Sequence, residues 1–386
     1  MRITYIDQLL QEDKSHSLTF FKMMIENLTD FLEDRFPLSL QESYDNCGLI
    51  YGHKKEKIKG VLIALDVTEE IVNEAIKKNC NLIVSHHPVI FRGLKKINGH
   101  SMTERVLEKC IQNKIALYAI HTNLDNHKLG VNKEIADRIG LKQVEILAPK
   151  KSTLVKLAIY VPTDAIKELD QAIFDAGAGN IGNYSECSFQ SKGKGSFKPN
   201  ADAKPHTGSA HHKTNAEEIK AEYILPIARL SKVLQVMNAN HPYEEVAHDI
   251  IPILNEQQDV GSGMIGELET PMKPDAFLNK LKEVFGLHVV KHTTLIKNEI
   301  KTVVVCGGTG SFLIEAAKRK NADIFISSDI KYHEFFDADQ QLIIADIGHY
   351  ESEQYTIDLI YENLKEKFSN FALHLTEVNT NPVKYF

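Results

Sequence analysis

The stretch from residue 60 to residue 88, GVLIALDVTEEIVNEAIKKNCNLIVSHHP, predicts a strand, a helix and a second strand in succession. Residues 60–67 and 81–90 are mostly apolar, whereas residues 68–79 carry apolar side chains at helical spacing. Near-continuous apolar strands that alternate with helices are typical of a parallel sheet buried on both faces. The stretch therefore predicts an α/β fold, and it ends in two adjacent histidines.

The same alternation of strand and helix continues along the chain and returns near its carboxyl end. We predict a helix at residues 102–113, a strand at 115–125 and a helix at 130–140. Beyond residue 301, three further apolar segments begin as strands: KTVVVCGGTGS, ADIFISSDIKYH and QLIIADIGHYESE. Between and after them we predict a helix at 311–320 and a last helix that ends near residue 367. The pattern therefore predicts two α/β blocks.

Between the two blocks the order of elements changes to strand, helix, strand, strand, helix, strand. The predicted elements are TLVKLAIYVP, a helix at 164–176, NYSECSFQ, a strand at 219–226, a helix at 229–240 and VAHDIIPI. This order is that of a ferredoxin-like domain. Its middle strands are joined by residues 191–215, which are rich in Gly, Lys, Ser and His and are expected to form a long mobile loop.

We therefore expect an α/β protein that is interrupted by a smaller α+β domain. At 386 residues the chain exceeds what one ordinary hydrophobic core supports. The expected divisions are an N-terminal extension at 1–23, a first core block at 24–150, the inserted domain at 151–256 and a second core block at 257–386.

Composition and charge narrow the class of protein. The formal net charge is −7 and the pI is near 6.2, which argues against non-specific binding to nucleic acid or to an anionic membrane. The five cysteines are an odd number and include no CxxC pair, which favours reduced thiols over a disulfide framework. No apolar run approaches the roughly 20 residues that span a bilayer. We expect a cytoplasmic protein with no membrane partner.

Imidazoles and carboxylates gather where the predicted strands end. In open α/β sheets, ligands bind beyond the carboxyl ends of the strands. The residues that follow the apolar runs include His86, His87, His121, Asp125, Asp329, Lys331, His333, His349, Glu351 and Glu353. On a helix that begins near His349, the side chain of Glu353 lies on the same face and the pair can chelate an ion, whereas Glu351 points elsewhere.

The pattern at the strand ends predicts a metal-ligand set, which is His86, His87, Asp125, His349 and Glu353. Three imidazoles and two carboxylates are few for two separate closed sites, but they suit a dinuclear centre with ions about 3.5 to 4 Å apart. Zinc, iron and manganese all accept such ligands. Taken singly, each histidine is more simply a hydrogen-bonded structural residue, and an HxxxE pair is more simply an exposed polar face. Their coincidence at strand ends favours metal.

Three other motifs are interpreted as structural. CGGTGS, at 306–311, matches no phosphate-binding pattern, and close packing at a tight turn explains its glycines. The histidines of the predicted loop, His206, His211 and His212, are explained by flexible exposed sequence. HPYEE, at 241–245, is expected to be a turn whose two glutamates are solvated.

Eight motifs spread along the chain resemble those of one family. They are LSLQESYDNCGL, SHHPVIF, HTNLD, GNYSECSF, HPYEE, CGGTGS, SDIKYHEF and GHYESE. In number and order they resemble the motifs of the GTP cyclohydrolase 1 type 2 homologs, also described as NIF-three-like dinuclear metal-centre proteins. The resemblance runs from about Met24 onward and leaves the first 22 residues without a counterpart in the family's usual start.

The resemblance implies a NIF-three-like core, an inserted domain similar to PII and CutA proteins, and a toroidal homohexamer. It also implies two divalent metal ions per subunit, in a site that faces an internal cavity. The family's metal ligands fall on the five residues of the set given above. The loop around His211 and His212 departs from the family's usual pattern.

Two functions are consistent with such a centre. The first is a metal-dependent hydrolase that acts on a nucleotide-like small molecule, with a metal-activated water as the nucleophile. His121, four residues before Asp125, is the first candidate for a proton shuttle, and His333 is the second. Lys331 and Tyr332 are candidates for contact with an anionic substrate. The alternative is a non-catalytic hexamer that regulates or handles metal, with the PII-like insert as a sensor.

Overall fold

The structure is a computed structural model that describes residues 23–369 and 371–386. The predicted N-terminal extension, residues 1–23, lies outside the described residues except for Met23. Contacts between residues divide the chain into two compact units. The first unit holds, among the described residues, 23–35, Asp45–His121 and Ile360–Pro382, and the second holds Phe36–Tyr44, Thr122–Leu359 and Val383–Phe386. The domain boundaries expected from the sequence stay predictions.

The first unit is built on a five-stranded sheet with the order β1-β4-β3-β2-β15. Its strands are β1 (Gly48–Tyr51), β2 (Val61–Ala64), β3 (Leu82–Ser85), β4 (Ala116–Ala119) and β15 (Leu373–Leu375). β15, β2, β3 and β4 run parallel, and β1 is antiparallel to β4. Every residue of β2, β3 and β4 is buried, which explains their unbroken apolar sequence and confirms the predicted α/β class.

Three helices accompany this sheet. They are Ile25–Arg35, Glu69–Lys77 and Met102–Asn113, the last with the predicted bounds. Thr68 and Ser101 cap the second and third of these helices, because their hydroxyls accept hydrogen bonds from backbone N–H groups of the first turn. These two helices connect β2 to β3 and β3 to β4, and such crossovers are what parallel strands require.

β3 ends at Ser85, five residues earlier than predicted, so His86 and His87 follow the strand directly. Their backbone N–H groups still donate hydrogen bonds to the carbonyl oxygens of Ala64 (3.2 Å) and Leu65 (2.9 Å). The two histidines therefore leave the sheet on a backbone that is held in place. Strict alternation of side chains between the two faces of the sheet no longer applies to them.

The predicted strand at 115–125 was too long at its carboxyl end. β4 ends at Ala119, and Thr122–Asp125 forms a helical turn that belongs to the second unit. The side-chain amide of Asn123 donates a hydrogen bond to the carbonyl oxygen of Phe36 (2.7 Å) in that unit. This long-range bond ties the turn to a distant segment of the second unit, so the chain leaves the sheet after Ala119.

The second unit contains a mixed sheet of six strands with the order β11-β14-β13-β12-β10-β5. Its strands are β5 (Leu141–Lys150), β10 (Gln257–Met272), β11 (Lys291–His292), β12 (Ile300–Thr309), β13 (Ile324–Ser328) and β14 (Ile343–Asp346). β12, β13 and β14 run parallel, as predicted for the second α/β block. The other pairs of this sheet are antiparallel.

The helices that follow these strands are shorter than predicted. The predicted helix at 311–320 begins as a 3₁₀ turn over Ser311–Leu313 and continues as an α-helix only over Ile314–Arg319. The predicted last helix is interrupted, and it comprises His349–Glu353 and Thr356–Lys367. The remaining α-helices outside the insert are Val131–Ile139 and Pro274–Phe285. Within the described residues, no helix combines the length and apolar character needed to cross a membrane.

The second unit also contains a separate sheet of four antiparallel strands, with the order β7-β8-β6-β9. Its strands are β6 (Leu154–Pro162), β7 (Ser188–Phe197), β8 (Thr214–Pro226) and β9 (His248–Ile253), and its helices are Ile166–Asp175 and Ile227–Asn240. The first and third strands in chain order lie in the centre, which is the ferredoxin-like arrangement. Apolar side chains from this sheet and both helices form one core. The predicted α+β insert is confirmed.

The predicted loop at residues 191–215 was too long. β7 continues to Phe197 and β8 begins at Thr214, so the two strands pair as a ribbon through most of the Gly- and Lys-rich sequence. Every residue of β7 is at least partly exposed, and such a ribbon needs no apolar face. For that reason its sequence gave no periodic signal of a strand. The connection that is left comprises residues 198–213.

The core of the insert can be tested by Leu157→Ala. Leu157 lies on the central strand β6 and is fully buried. The substitution should lower the free energy of unfolding by about 2 to 5 kcal/mol, because it leaves a cavity among packed apolar groups. Urea denaturation followed by circular dichroism measures the change. The side chain of Leu254 is 86% exposed, so Leu254→Ala should change the free energy of unfolding by no more than about 0.5 kcal/mol. Equal effects at the two positions would contradict the assigned core.

Candidate metal centre

Three histidines of the first unit form a compact cluster at the carboxyl ends of β3 and β4. Potential ligand atoms of His86, His87 and His121 all lie within 4.8 Å of one another. The ring centroids are 4.8 Å apart for His86 and His87, and 5.1 and 5.3 Å from each of these to His121. The three imidazoles therefore converge closely enough to hold a metal ion.

Each ring of this cluster is oriented by a hydrogen bond from its Nδ1 atom. The Nδ1 of His86 lies 2.9 Å from the carbonyl oxygen of Ile120. The Nδ1 of His87 lies 2.8 Å from Oδ1 of Asp66, and that of His121 lies 2.9 Å from Oδ1 of Asp45. Since carbonyl and carboxylate oxygens only accept, Nδ1 carries the proton in all three rings. In neutral rings the lone pair is then on Nε2, as in histidines that ligate metals.

The two supporting carboxylates were not predicted from the sequence. Asp45 is fully buried at its side chain and also accepts a hydrogen bond from Sγ of Cys47 (3.1 Å). Asp66 accepts one from the hydroxyl of Thr380 (2.6 Å). Burial acts to raise the pKa of Asp66, but the hydrogen bonds from His87 and Thr380 outweigh it, and the net pKa lies below its ordinary value. Asp66 follows the end of β2, so a search for polar residues at the carboxyl ends of the predicted strands could have found it.

His349 and Glu353 of the second unit form a pair on one face of a helical turn. The α-helix His349–Glu353 brings Nε2 of His349 and Oε2 of Glu353 to 3.1 Å. The Nδ1 of His349 donates to Oδ2 of Asp329 (2.7 Å), so this ring is oriented by a carboxylate as well. The predicted placement of the HxxxE pair is confirmed, and Glu353 is buried.

The glycines of CGGTGS allow the backbone to approach Glu353. Gly308 has a φ of +60°, and a Cβ atom at this position would overlap Oε1 of Glu353 and come within 3.5 Å of the His349 ring. The N–H of Gly308 donates to the hydroxyl of Ser352 (3.0 Å) in the same helical turn. Close packing at a tight turn, rather than a phosphate loop, accounts for these glycines, as predicted.

Asp125 lies near the same glycine turn. Asn132 joins the two segments, since its side chain donates to the carbonyl oxygen of Asp125 (3.1 Å) and accepts from the N–H of Gly307 (2.9 Å). Burial raises the pKa of the Cys306 thiol, and the charges of Asp125 and Glu353 raise it further. Both carboxylates therefore lie near one buried sulfur atom.

The other predicted site residues lie outside these groups. Lys331, Tyr332 and His333 begin an exposed 3₁₀ segment, Tyr332–Ala338, and the Tyr332 side chain is 73% exposed. None of the three belongs to a potential metal-ligand group within the described residues. The carboxylate of Glu351 lies against the backbone of Gly348, away from Glu353, as predicted. The roles of Lys331, Tyr332 and His333 stay predictions.

The donor groups of both units fit a divalent metal ion. They are imidazole nitrogens and carboxylate oxygens, which suit zinc, iron and manganese. Each imidazole has the outer hydrogen bond that ligating histidines have in metalloproteins. Cys306 belongs to no potential metal-ligand group among the described residues, and its thiol donates to the carbonyl oxygen of Gly307 (3.5 Å).

Replacement of His349 or Glu353 with alanine should weaken metal binding, at least about tenfold, whereas Glu351→Ala should leave it nearly unchanged. The first two side chains face one another, and Glu351 points to a different side of the turn. Elemental analysis of protein purified without added metal measures the bound ions. An equal loss with Glu351→Ala would show that the helical placement is wrong.

Asp329→Asn should weaken metal binding about 10- to 100-fold, because the His349 ring loses its anionic hydrogen-bond acceptor. Asparagine tolerates the φ of +53° at this position, so the backbone should be preserved. A competition titration with a chromophoric chelator measures the affinity. Asp337→Asn, on the neighbouring 3₁₀ segment, is the matched control and should have no effect. Equal affinities of the two variants would show that the Asp329 carboxylate does not support the ligand.

Comparisons with known proteins agree with the fold. A family model described as Duf34/NIF3 (NGG1p interacting factor 3) matches residues 23–382. The chain is 36% identical over 371 residues to a GTP cyclohydrolase 1 type 2 homolog of Staphylococcus epidermidis, covering 94% of this chain and all of that protein. It is 38% identical over 354 residues to a GTP cyclohydrolase 1 type 2 homolog of Halalkalibacterium halodurans, covering 90% of this chain and 95% of that protein.

A solved structure gives the same result. The crystal structure of a Bacillus cereus protein related to NIF3 superposes with a TM-score of 0.82 at 35% identity, covering 95% of this chain and all of that one. The sequence, the fold and the clustered histidines and carboxylates lead to one conclusion: this chain belongs to the Duf34/NIF3 family.

Proposed function

We propose that the protein is a metal-dependent hydrolase that acts on a nucleotide-like substrate and holds two divalent metal ions. The ligands of the proposed centre are His86, His87, Asp125, His349 and Glu353. The observation that carries the proposal is the shared orientation of the histidines. Each candidate ligand ring donates from Nδ1 to an oxygen acceptor, which presents Nε2 as the ligand atom.

The proposed ligands are three imidazoles and two carboxylates. The first unit offers imidazoles, and the second offers one imidazole with the carboxylates of Asp125 and Glu353. A closed protein site takes about four ligands per ion, so five residues are few for two separate sites. Two ions that share ligands need fewer residues than two separate ions. Five ligands therefore support a dinuclear centre over two isolated sites.

Two bound divalent ions would supply a water whose pKa is lowered to near neutrality. His121 is placed to move the proton of the reaction. Its Nδ1 is held by the buried Asp45 carboxylate, which fixes the orientation of the ring and leaves Nε2 as the proton acceptor. Nε2 of His121 would accept a proton from the attacking water and return it to the leaving group.

The nature of the substrate is inferred from the relatives and from the exposed 3₁₀ segment. The name of the relatives, GTP cyclohydrolase 1 type 2 homolog, refers to a nucleotide. Lys331 supplies an exposed cation and Tyr332 an exposed ring at the start of that segment. We propose that they contact the anionic part and the base of the substrate, with His333 as a second proton shuttle. A homohexamer in the cytoplasm is part of the same proposal.

A regulatory or metal-handling hexamer is the second candidate function. The observation that favours it is the insert, which has its own apolar core and an open cavity of about 780 Å³. A domain of this kind is suited to sense a small molecule. In that case the metal ions would be bound without turnover.

Asp125→Ala should lower the bound metal and reduce hydrolysis roughly 100-fold or more, because it removes a carboxylate ligand of the proposed centre. Turnover by metal-loaded protein on GTP and on a panel of nucleotides and phosphoesters is the measurement. Asp137→Ala, which removes only an exposed partner of Lys133, should retain metal and turnover. Metal-loaded protein that hydrolyses nothing on the panel would instead establish the regulatory function.

His121→Gln should retain the metal and lower kcat by about 10²- to 10⁴-fold, with loss of the limb of the pH profile that reports the base. Elemental analysis and pH-dependent kinetics of the same preparation measure both quantities. His86→Gln is the comparison, since it removes a proposed ligand from the same cluster. If both variants lose metal to the same extent, His121 is a ligand and the proposed role of proton shuttle is wrong.

A further inference from the structure

The insert forms an open cavity that the proposed metal chemistry does not use. Its volume is about 780 Å³, and its walls come from β6, from the end of β7 with the connection after it, from β8 and from the HPYEE turn. Pockets for small organic ligands measure roughly 300 to 1,000 Å³. The cavity is therefore large enough for a whole small molecule.

The charges that face this cavity are mainly negative. Four carboxylates line it, those of Asp202, Glu218, Glu244 and Glu245, against one lysine, Lys198. Within the part of the chain that the structure describes, none of the four forms an ion pair with a lysine, arginine or histidine. The cavity thus presents an anionic surface that lacks a protein counter-ion.

Glu218 is the decisive side chain because it is only 8% exposed. Its Oε1 atom accepts a hydrogen bond from the hydroxyl of Tyr243 (2.9 Å), which is a neutral partner. Buried carboxylates are ordinarily paired with a cation, since an uncompensated buried charge is costly. Glu218 therefore lines the cavity as a buried carboxyl group that has no cationic partner among the described residues.

His241, the histidine of the HPYEE turn, does not supply that positive charge. Burial lowers the pKa of His241 below its ordinary value. Its Nε2 donates to the carbonyl oxygen of Tyr160 (3.1 Å), and its Nδ1 accepts from the backbone N–H of Tyr243 (3.0 Å). Accepting at one nitrogen while donating at the other is possible only for neutral imidazole. Lys198 and His206 also line the cavity, but among the described residues neither forms an ion pair with Glu218.

Aromatic rings complete the lining. Tyr160, Phe197 and Tyr243 all border the cavity. The faces of such rings attract alkylammonium and guanidinium groups and pack against carbon chains. A bare metal ion fits less well. Within the described residues, no three potential ligands in the insert lie close enough together to hold one.

We propose that this cavity binds an organic cation, namely an amine or guanidinium compound with a carbon chain. The charged nitrogen pairs with Glu218, the chain packs against Tyr160 and Tyr243, and a second charge reaches Glu244 or Glu245 at the open side. The HPYEE glutamates are exposed, as predicted, but they border a binding cavity rather than plain solvent. This site is independent of the proposed metal centre.

Calorimetric titration of the full-length protein tests the proposal. The probes are putrescine, agmatine and spermidine, with 1,4-butanediol as the uncharged analogue of putrescine. At least one amine should bind saturably with a Kd below roughly 1 mM, and butanediol should not bind. Failure of all three amines, or equal binding of butanediol, would overturn the proposal.

A matched pair of variants locates the binding. Glu218→Gln keeps the shape of the side chain and should weaken amine binding at least about tenfold. Glu217→Gln is the control, because Glu217 neighbours Glu218 on the same strand but is 70% exposed and pairs with Lys194. This variant should bind the amines with the affinity of the unsubstituted protein. Equal affinity of the two variants would show that the amines bind elsewhere. If Glu218→Gln does not fold, Tyr243→Phe is the second variant, because it removes the hydroxyl that orients Glu218. Tyr243→Phe should weaken amine binding. Unchanged binding would overturn the proposal.

Discussion

The hydrogen bond from a histidine Nδ1 to a fixed oxygen acceptor is the interaction on which the candidate centre depends. It recurs at four rings, with these acceptors: Ile120 O for His86, Asp66 for His87, Asp45 for His121 and Asp329 for His349. Three of these acceptors follow closely the carboxyl end of a strand. Within each sheet, parallel strands bring such ends to the same edge, so the scaffold that aligns the strands also fixes the protonation and direction of these three rings.

The two units contribute different chemistry. The first supplies imidazoles from segments that leave β3 and β4, and the second supplies carboxylates that are packed around a glycine turn. The insert adds a third element, with a core of its own and an acidic cavity that is lined by different residues. Metal chemistry and small-molecule recognition are thus assigned to separate parts of one chain, and a change in one need not disturb the other.

Periodicity in the sequence predicted what depends on local pattern. The apolar runs at 60–67 and 81–90 predicted buried parallel strands, and the four-residue spacing of His349 and Glu353 predicted their common face. Features that depend on distant partners escaped prediction. The support of His121 by Asp45 joins residues 76 positions apart. The ribbon up to Phe197 is held by pairing with β8 rather than by an apolar face, so its composition resembled that of a loop.

Cys306 has a consequence for how the protein would respond to its surroundings. Oxidants attack thiolates, and burial beside two negative charges keeps this sulfur protonated. With nitrogen and oxygen as the only proposed donors, the centre has no ligand that peroxide would readily consume. Acid is the more effective challenge, because protonation of imidazoles and carboxylates competes with any bound cation. The architecture is therefore better suited to persist through oxidative stress than through acidification.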